Sequence, residues 1–336
     1  MSSDDAYARS GVDQGAADSA VAGLVRALGK IELGRPSAQV PLPGHYASVI
    51  EVAPNLGIAL STDGVGTKLV LAEQLGKLDT VGIDCVAMNV NDVICVGAEP
   101  LAMLDYIAID RANPEVCEAI GVGLARGATL AGIEIPGGEL AQLGEMVHGV
   151  DVSGACFGTV ALDAIVDGRR AAPGDSIIGI PSSGLHSNGY TLARASLEGL
   201  DLGEDPDGRL GRPLGEALLE PTVIYVKPIV ELLRSEVDVH GLAHITSGGV
   251  NNLLRLAAPV GYEIDSPLPI PPLFDLIAER GNVGDEEMHE IFNMGCGFTV
   301  VVPENDEART LEMLRAHHPG AARIGRVTDA AGVVTR

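Results

Sequence analysis

The chain has 336 residues, of which 46% are apolar and 3% aromatic, and it contains no tryptophan. This length accommodates two domains of ordinary size, and their cores are expected to consist mainly of aliphatic side chains. The formal net charge of −24 disfavours nucleic acid and anionic lipid as partners, because both carry charge of the same sign.

Lysine is scarce: the 22 basic residues include only Lys30, Lys68, Lys77 and Lys227. A surface this acidic repels polyphosphates at low salt, whereas in molar salt the Debye length falls to about 3 Å and the repulsion is screened. We therefore predict halophilic adaptation.

The N-terminus is acidic and polar, and no apolar run is long enough to span a bilayer. These features predict a cytoplasmic protein without membrane contact.

Apolar periodicity and Gly/Pro punctuation predict alternating helices and strands along the first half of the chain. In chain order we expect a helix over 20–28, a strand over 56–62, a helix over 80–96, a strand over 100–109, a helix over 114–131, and strands over 133–135 and 150–162. A break in the pattern of predicted helices and strands lies near residue 168. This position predicts an N-terminal domain over 1–168 and a C-terminal domain over 169–336.

The second half shows the same alternation. We expect strands over 176–180 and 239–245 and near 260–264, 297–303 and 321–327, with helices over 190–200 and 223–233 and near 251–257, 271–280 and 305–317. The aliphatic cores expected from the composition are typical of α/β layers.

The segment Asp63-Gly64-Val65-Gly66-Thr67-Lys68 follows an apolar strand. Glycines allow backbone N–H groups to approach phosphate, Lys68 supplies positive charge, and Asp63 is a hard oxygen ligand suited to Mg²⁺. The glycine and lysine spacing differs from that of a P-loop. Asp-Gly is also an ordinary hairpin signal, so the segment alone fits either a phosphate-binding loop or a simple turn.

Acidic and amide side chains recur within apolar segments. The helix predicted over 80–96 carries Asn91 and Asp92, and Gly137-Gly138-Glu139 is interpreted as a glycine turn that directs a carboxylate. Buried carboxylates are costly unless they are paired or bind a metal. A solvent-facing or capping acid in the helix, and a plain turn at Glu139, are the structural alternatives.

The segment 182–189 leads from a strand into a helix and contains Ser183, His186, Ser187 and Asn188. A helix N-terminus in this position can bind an anion, and His186 is suited to acid–base chemistry near neutral pH. A polar loop with a satisfied histidine is the alternative. His244 precedes a second glycine turn and repeats the pattern of strand, histidine and turn.

In combination and in order, these motifs closely resemble the phosphoribosylformylglycinamidine cyclo-ligase family, also called aminoimidazole ribonucleotide synthetases. The resemblance covers about residues 7–327. The segments that carry it are 11–13 (Gly-Val-Asp), 62–68, 79–92, 97–100, 137–139, 182–189, 225–227, 244–246, 281–283 and 292–295.

The resemblance implies a two-domain α+β/α/β fold. The N-terminal domain would contribute strands to a β-barrel shared across a homodimer, and the C-terminal domain would form an α/β sandwich. It also implies ATP-dependent closure of formylglycinamidine ribonucleotide to 5-aminoimidazole ribonucleotide, with ATP and Mg²⁺ as cofactors.

The same resemblance implies roles for individual residues. Asp63, Asp92 and Glu139 would hold the metal, and Gly64, Gly66, Thr67, Lys68, Asn91, Asp92 and Glu139 would bind the nucleotide. Ser183, His186, Ser187, Asn188 and His244 would face the substrate, and His186, Asp63 and Lys68 would be catalytic. A lysine that the family carries in its first helix has no clear counterpart, since only Arg26 or Lys30 lies nearby.

Related families supply alternatives. A thiamine-monophosphate kinase-like phosphotransferase is the runner-up, because it shares the acidic metal residues but is not expected to carry the 182–189 loop in this form. A non-catalytic ATP-binding regulatory dimer is the alternative from another class.

Overall fold

A computed structural model describes residues 14–336, so the Gly11-Val12-Asp13 motif lies outside the described residues. Two six-stranded sheets organise the fold. The strands of the first sheet are β1 (Gln39–Val40), β2 (Ser48–Ala53), β3 (Leu56–Gly64), β4 (Glu99–Ile109), β5 (Glu134–Gln142) and β6 (Val150–Val160). Their order is β1-β2-β3-β6-β4-β5, and only β4 and β5 run parallel.

Four helices accompany this sheet: α1 (Gln14–Leu28), α2 (Lys68–Leu75), α3 (Val81–Cys95) and α4 (Pro114–Ala131). In α3 every residue is buried except Asp92. Helix α4 crosses α3 closely, and a Cβ on Gly82 would lie 2.2 Å from the backbone nitrogen of Leu124. Glycine is therefore required at the crossing, which brings α3 tightly against its neighbour.

The pairing register places Asp63, Gly154, Asp105 and Gly138 in one row across four strands. Side chains in one row point to the same face, and successive residues of a strand alternate between faces. Asp63 and Asp105 therefore point to the face covered by α3. The opposite face exposes large apolar side chains, including Ile50, Leu56, Leu60, Leu104 and Tyr106.

The second sheet contains β7 (Ser176–Pro181), β8 (Gly241–His244), β9 (Gly261–Glu263), β10 (Cys296–Val302), β11 (Ala322–Thr328) and β12 (Val334–Thr335) in the order β12-β9-β11-β7-β10-β8. Its helices are α5 (Tyr190–Ser196), α6 (Leu214–Leu218), α7 (Val226–Leu233), α8 (Pro272–Gly281), α9 (Asp285–Ile291) and α10 (Glu307–His317). Helix α3 contacts β3 and β6 of the first sheet and also β8 and α7 of the second unit. It is therefore shared by both halves of the molecule.

The predicted alternation of helices and strands is confirmed, with local differences. Residues Gly249–Arg255 form a 3₁₀ helix rather than an α-helix. The glycine turn predicted at 137–139 is wrong, because these residues lie inside β5. Gly138 is required there by contact rather than by turn geometry, since a Cβ would lie 2.3 Å from Oδ1 of Asp105. Among the described residues, no helix combines the length and apolarity that a membrane span requires.

Candidate active site

The segment predicted to bind phosphate is the end of β3 and the turn into α2. Asp63 is partly buried, and its Oδ1 accepts a hydrogen bond from the Gly64 backbone N–H at 2.7 Å. The backbone of Asp63 is fixed by Asn89, whose side chain accepts from Asp63 N at 3.0 Å and donates to Asp63 O at 3.1 Å. Gly66 has φ +70°. The segment is thus a turn, held by hydrogen bonds, that connects Asp63 at the end of β3 to the N-terminus of α2.

Asp63 and Asp92 are near enough for their charges to interact. Burial raises the pKa of Asp63 above its ordinary value, and the charge of Asp92 raises it further, while the Gly64 N–H opposes the shift. Two carboxylates in a confined space repel each other unless a cation or a proton lies between them. The pair is therefore suited to a ligand that brings positive charge.

Asp92 also orients a histidine of the second unit. Nδ1 of the fully buried His244 lies 2.9 Å from Oδ1 of Asp92. Because a carboxylate accepts, Nδ1 donates and the lone pair lies on Nε2. The Nε2 atom is buried and has no hydrogen-bond partner. His244 stacks on Phe298 with 6.3 Å between ring centroids, which fixes the plane of the imidazole.

His186 presents the opposite tautomer. Its Nε2 accepts from the backbone N–H of Ser183 at 3.3 Å, so the hydrogen-bond pattern assigns the proton to Nδ1. Nδ1 is buried without a partner. Burial lowers the pKa of His186 well below its ordinary value, and the charge of Lys68 acts in the same direction, as would protonation of His244. His186 is therefore a neutral side chain with a free N–H to donate.

The remaining predicted substrate residues line the same segment. Ser183 Oγ donates to Pro221 O at 2.6 Å, and Ser187 Oγ lies 3.2 Å from Thr222 Oγ1. Asn188 accepts from Ser247 Oγ at 3.2 Å, whereas its buried Nδ2 has no partner. The serines thus anchor the loop, and Asn188 holds an unused donor.

The role predicted for Lys68 is phosphate binding, whereas in this structure its ammonium is engaged by other groups of the protein. Lys68 is fully buried. Its ammonium donates to Oδ1 of Asp84 at 2.9 Å, to His186 O at 3.1 Å and to Glu220 O at 2.8 Å. An ammonium has three protons, and all three are used. Burial lowers the pKa of Lys68, and Asp84 opposes this shift.

Asn91 is likewise placed differently from its predicted role in nucleotide binding. Its side chain is buried, donates to Val223 O at 2.9 Å and accepts from Tyr225 N at 3.0 Å. Both polar ends of the amide are therefore engaged by the segment that precedes α7. Asn91 joins α3 to the second unit.

Glu139 does not join Asp63 and Asp92. It pairs in register with Tyr106, one position away from the row that contains Asp63 and Gly138. Alternation along β5 therefore directs Glu139 to the face opposite to Asp63. Within residues 14–336, no group of three or more His, Cys, Asp or Glu side chains is arranged to hold a metal ion. The predicted metal set of Asp63, Asp92 and Glu139 is not assembled within this chain.

Two acidic residues were not assigned a role from the sequence. Asp84 is the partner of Lys68, and Asp105 lies in the same row as Asp63 with a pKa raised by burial. Each carried a signal in the sequence: Asp84 occurs within an apolar helix, and Asp105 occurs at an inward position of a strand. Only the folded arrangement shows which groups they face.

The two-domain fold is shared with solved structures that have diverged far in sequence. The HypE–HypF complex matches with a TM-score of 0.63 at 21% identity, over 86% of this chain and 88% of that chain. The structure titled AaThiL complexed with AMPPCP and TMP matches with a TM-score of 0.62 at 20% identity, over 88% of each chain. These likenesses establish the fold class.

Sequence comparison identifies the family within that class. Residues 44–160 match the model described as AIR synthase related protein, N-terminal domain, and residues 172–336 match that of its C-terminal domain. The chain therefore belongs to the AIR synthase related family, as its motifs predicted.

Similar relatives share one name. A protein of Pyrococcus furiosus is 46% identical over 98% of this chain and 96% of its own length. One of Methanothermobacter thermautotrophicus is 48% identical over 85% of this chain and 84% of its own length. Both are named phosphoribosylformylglycinamidine cyclo-ligase.

Proposed function

We propose that this chain is an ATP-dependent cyclo-ligase that converts formylglycinamidine ribonucleotide into 5-aminoimidazole ribonucleotide, with release of ADP and phosphate, in purine biosynthesis. The observation that carries this function is a set of three buried nitrogens without partners, namely His186 Nδ1, Asn188 Nδ2 and His244 Nε2. Buried polar atoms are usually hydrogen-bonded to protein or to ordered water, so unpaired donors and acceptors at a candidate site offer partners for a ligand. The curated relatives carry the name of this activity.

The reaction needs a better leaving group and a proton acceptor. ATP phosphorylates the formyl oxygen, so that phosphate rather than oxide departs. The amidine nitrogen then forms the new C–N bond, loses a proton, and the C–O bond to phosphate breaks. General acid–base groups in this step contribute typically about 10²–10⁴-fold in rate.

The two histidines are suited to different parts of this step. His244 Nε2 carries a lone pair and accepts the proton, while Asp92 stabilises the imidazolium that forms. His186 Nδ1–H donates a hydrogen bond to the departing oxygen. Asn188 Nδ2 donates to the substrate from the same loop. The opposite tautomers thus divide the roles of donor and acceptor.

ATP is proposed to bind at the turn formed by Asp63, Gly64, Gly66 and Thr67. Mg²⁺ is usually held by one or two carboxylates together with phosphate oxygens. We therefore assign Asp63 as its ligand from this chain, in place of a cluster of three carboxylates. The metal would neutralise charge on the transferring phosphoryl group.

A homodimer is proposed on the apolar face of the first sheet. Leu60, Leu104 and Tyr106 are 40%, 47% and 42% exposed on that face. Contiguous exposed apolar patches of this kind mark interaction surfaces. A second copy would cover the same face by twofold symmetry, in line with the shared barrel that the family resemblance implies.

Salt adaptation remains a proposal based on the charge. The net charge of −24 repels ATP and the substrate phosphate at low ionic strength, and this repulsion is screened in concentrated salt. The predicted cytoplasmic location also stays a prediction.

The function is tested by measuring ADP release in concentrated KCl with formylglycinamidine ribonucleotide or with thiamine monophosphate as the second substrate. We expect stimulation by the ribonucleotide alone. Stimulation only by thiamine monophosphate would support the kinase-like alternative. ATP binding without ADP release in either case would support the regulatory dimer.

A further inference from the structure

We propose that Lys68 is a positioning residue that fixes the catalytic loop around His186, rather than a ligand of phosphate. This inference rests on the proposed function, because it assigns Lys68 a part in the same reaction. It starts from an unusual position: one of four lysines in a strongly acidic chain is fully buried at the junction of the two domains.

The Lys68 ammonium finds all of its hydrogen-bond acceptors within the protein. Nζ lies 2.9 Å and 2.8 Å from the two carboxylate oxygens of Asp84. Its other acceptors are the backbone carbonyls of His186 and Glu220 at 3.1 Å and 2.8 Å. Reaching a phosphate would require breaking these contacts inside a buried site, where an unpaired charge is strongly disfavoured.

Asp84 connects the Lys68 ammonium to a third segment. Its Oδ1 also accepts from Thr222 N at 2.8 Å and from Thr222 Oγ1 at 2.6 Å. Asp84 belongs to α3 and Lys68 begins α2, whereas Thr222, Glu220 and His186 belong to the second unit. The ion pair therefore joins the end of the ATP turn to two loops across the domain junction.

The backbone of His186 has an unusual conformation. Its φ is +62°, in the left-handed region that non-glycine residues rarely adopt. Such a conformation persists only where the surrounding structure enforces it. The Lys68 ammonium holds the carbonyl of this residue, and Ser183 N–H holds its Nε2. Together they keep Nδ1–H directed away from both anchors and free for the substrate.

A positioning role for Lys68 has a specific kinetic signature. A phosphate ligand would affect the KM for ATP, and a residue that only holds the domains together would affect stability alone. A positioning residue lowers kcat, since misplacing a reacting group by about 1 Å can cost about 100-fold.

The experiment compares Lys68→Met and Lys68→Arg with the control Lys77→Met. Lys77 also bridges the domains, through Glu216 at 3.4 Å, but its side chain is 52% exposed. We expect Lys68→Met to lower kcat by about 100-fold, with little change in the KM for ATP, and Lys77→Met to behave as wild type. Lys68→Arg retains the charge and should fold, but its planar guanidinium cannot match the same acceptors on Asp84, His186 and Glu220. We expect its kcat to lie between those of wild type and Lys68→Met.

A second readout needs no turnover. Imidazole ¹⁵N NMR of the substrate-free protein, with the signal assigned by loss in His186→Gln, reports which nitrogen carries the proton. We expect Nδ1–H in wild type and Lys77→Met, and a mixture of tautomers in Lys68→Arg and Lys68→Met. If Lys68→Met does not fold, Lys68→Arg decides both readouts.

Two outcomes would overturn the inference. One is a raised KM for ATP at unchanged kcat in the Lys68 variants. The other is a wild-type kcat together with an unchanged His186 signal. A wild-type protein that does not turn over formylglycinamidine ribonucleotide would instead refute the proposed function, and the NMR comparison would still test the positioning of His186.

Discussion

The free energy of unfolding is expected to decrease at acid pH because of His45. The residue precedes β2, and neither ring nitrogen has a hydrogen-bond partner. Its ring contacts the Tyr46 ring edge-on, with the ring centroids 5.6 Å apart. The guanidinium of Arg255 lies over the Tyr46 ring, 4.7 Å from its centroid. Burial lowers the pKa of His45 from 6.5 to about 4; Asp167 opposes this and Arg255 adds to it.

The sign follows from which state binds the proton. Between about pH 6.5 and 4 the unfolded chain protonates His45 while the folded chain does not, so stability falls as the pH decreases. One pKa unit corresponds to about 1.4 kcal/mol, which gives a loss of about 2 kcal/mol at about pH 5 and about 3 kcal/mol below pH 4.

The assay is denaturant unfolding of wild type and His45→Gln at constant salt from about pH 7 to pH 5. We expect the difference in the free energy of unfolding between the two proteins to shift by about 2 kcal/mol in favour of the variant at the lower pH. His148→Gln removes an exposed histidine and serves as the control. Parallel pH profiles for wild type and His45→Gln would refute the reasoning.

Three further predictions concern the proposed function. Asp63→Asn keeps an acceptor for the Gly64 N–H but removes the charge; we expect an unchanged fold by circular dichroism and a loss of ATP turnover of at least about 100-fold, and near-normal turnover would show that the metal lies elsewhere. Leu104→Asp on the exposed sheet face should convert a dimer into monomers in sedimentation, whereas a wild-type protein that sediments as a monomer would contradict the proposed interface. Activity and thermal stability should both rise between about 0.1 M and about 3 M KCl, and full function at the lower salt would exclude salt adaptation.

The sequence located the motifs well, because glycine, acid and histidine at strand ends are local signals. The turn from Asp63 to Thr67 and the loop from 182 to 189 were both identified in this way. The family and the alternation of elements followed from the same motifs. The tautomers of His186 and His244 could not be predicted, since they depend on Ser183 N–H and on a carboxylate from the other domain.

The direction of a side chain was the other missing information. Lys68 follows a turn with the composition of a phosphate-binding loop. At the start of α2, however, its side chain is directed inward to Asp84, a residue sixteen positions away. Glu139 was interpreted as part of a turn, and its pairing with Tyr106 places it on the far face of the sheet. Long-range pairing decides such cases, and residue spacing does not encode it.

Helix α3 has a consequence for how ligands enter and leave. It packs against β3 and β6 on one side and against β8 and α7 on the other, and Asn91 and Asp84 bind the backbone of the second unit. A hinge motion between the two halves would remove one of these two sets of contacts from the buried helix. We therefore expect nucleotide and product to be exchanged through movement of surface loops. The two sheets are expected to keep their relative position on either side of α3.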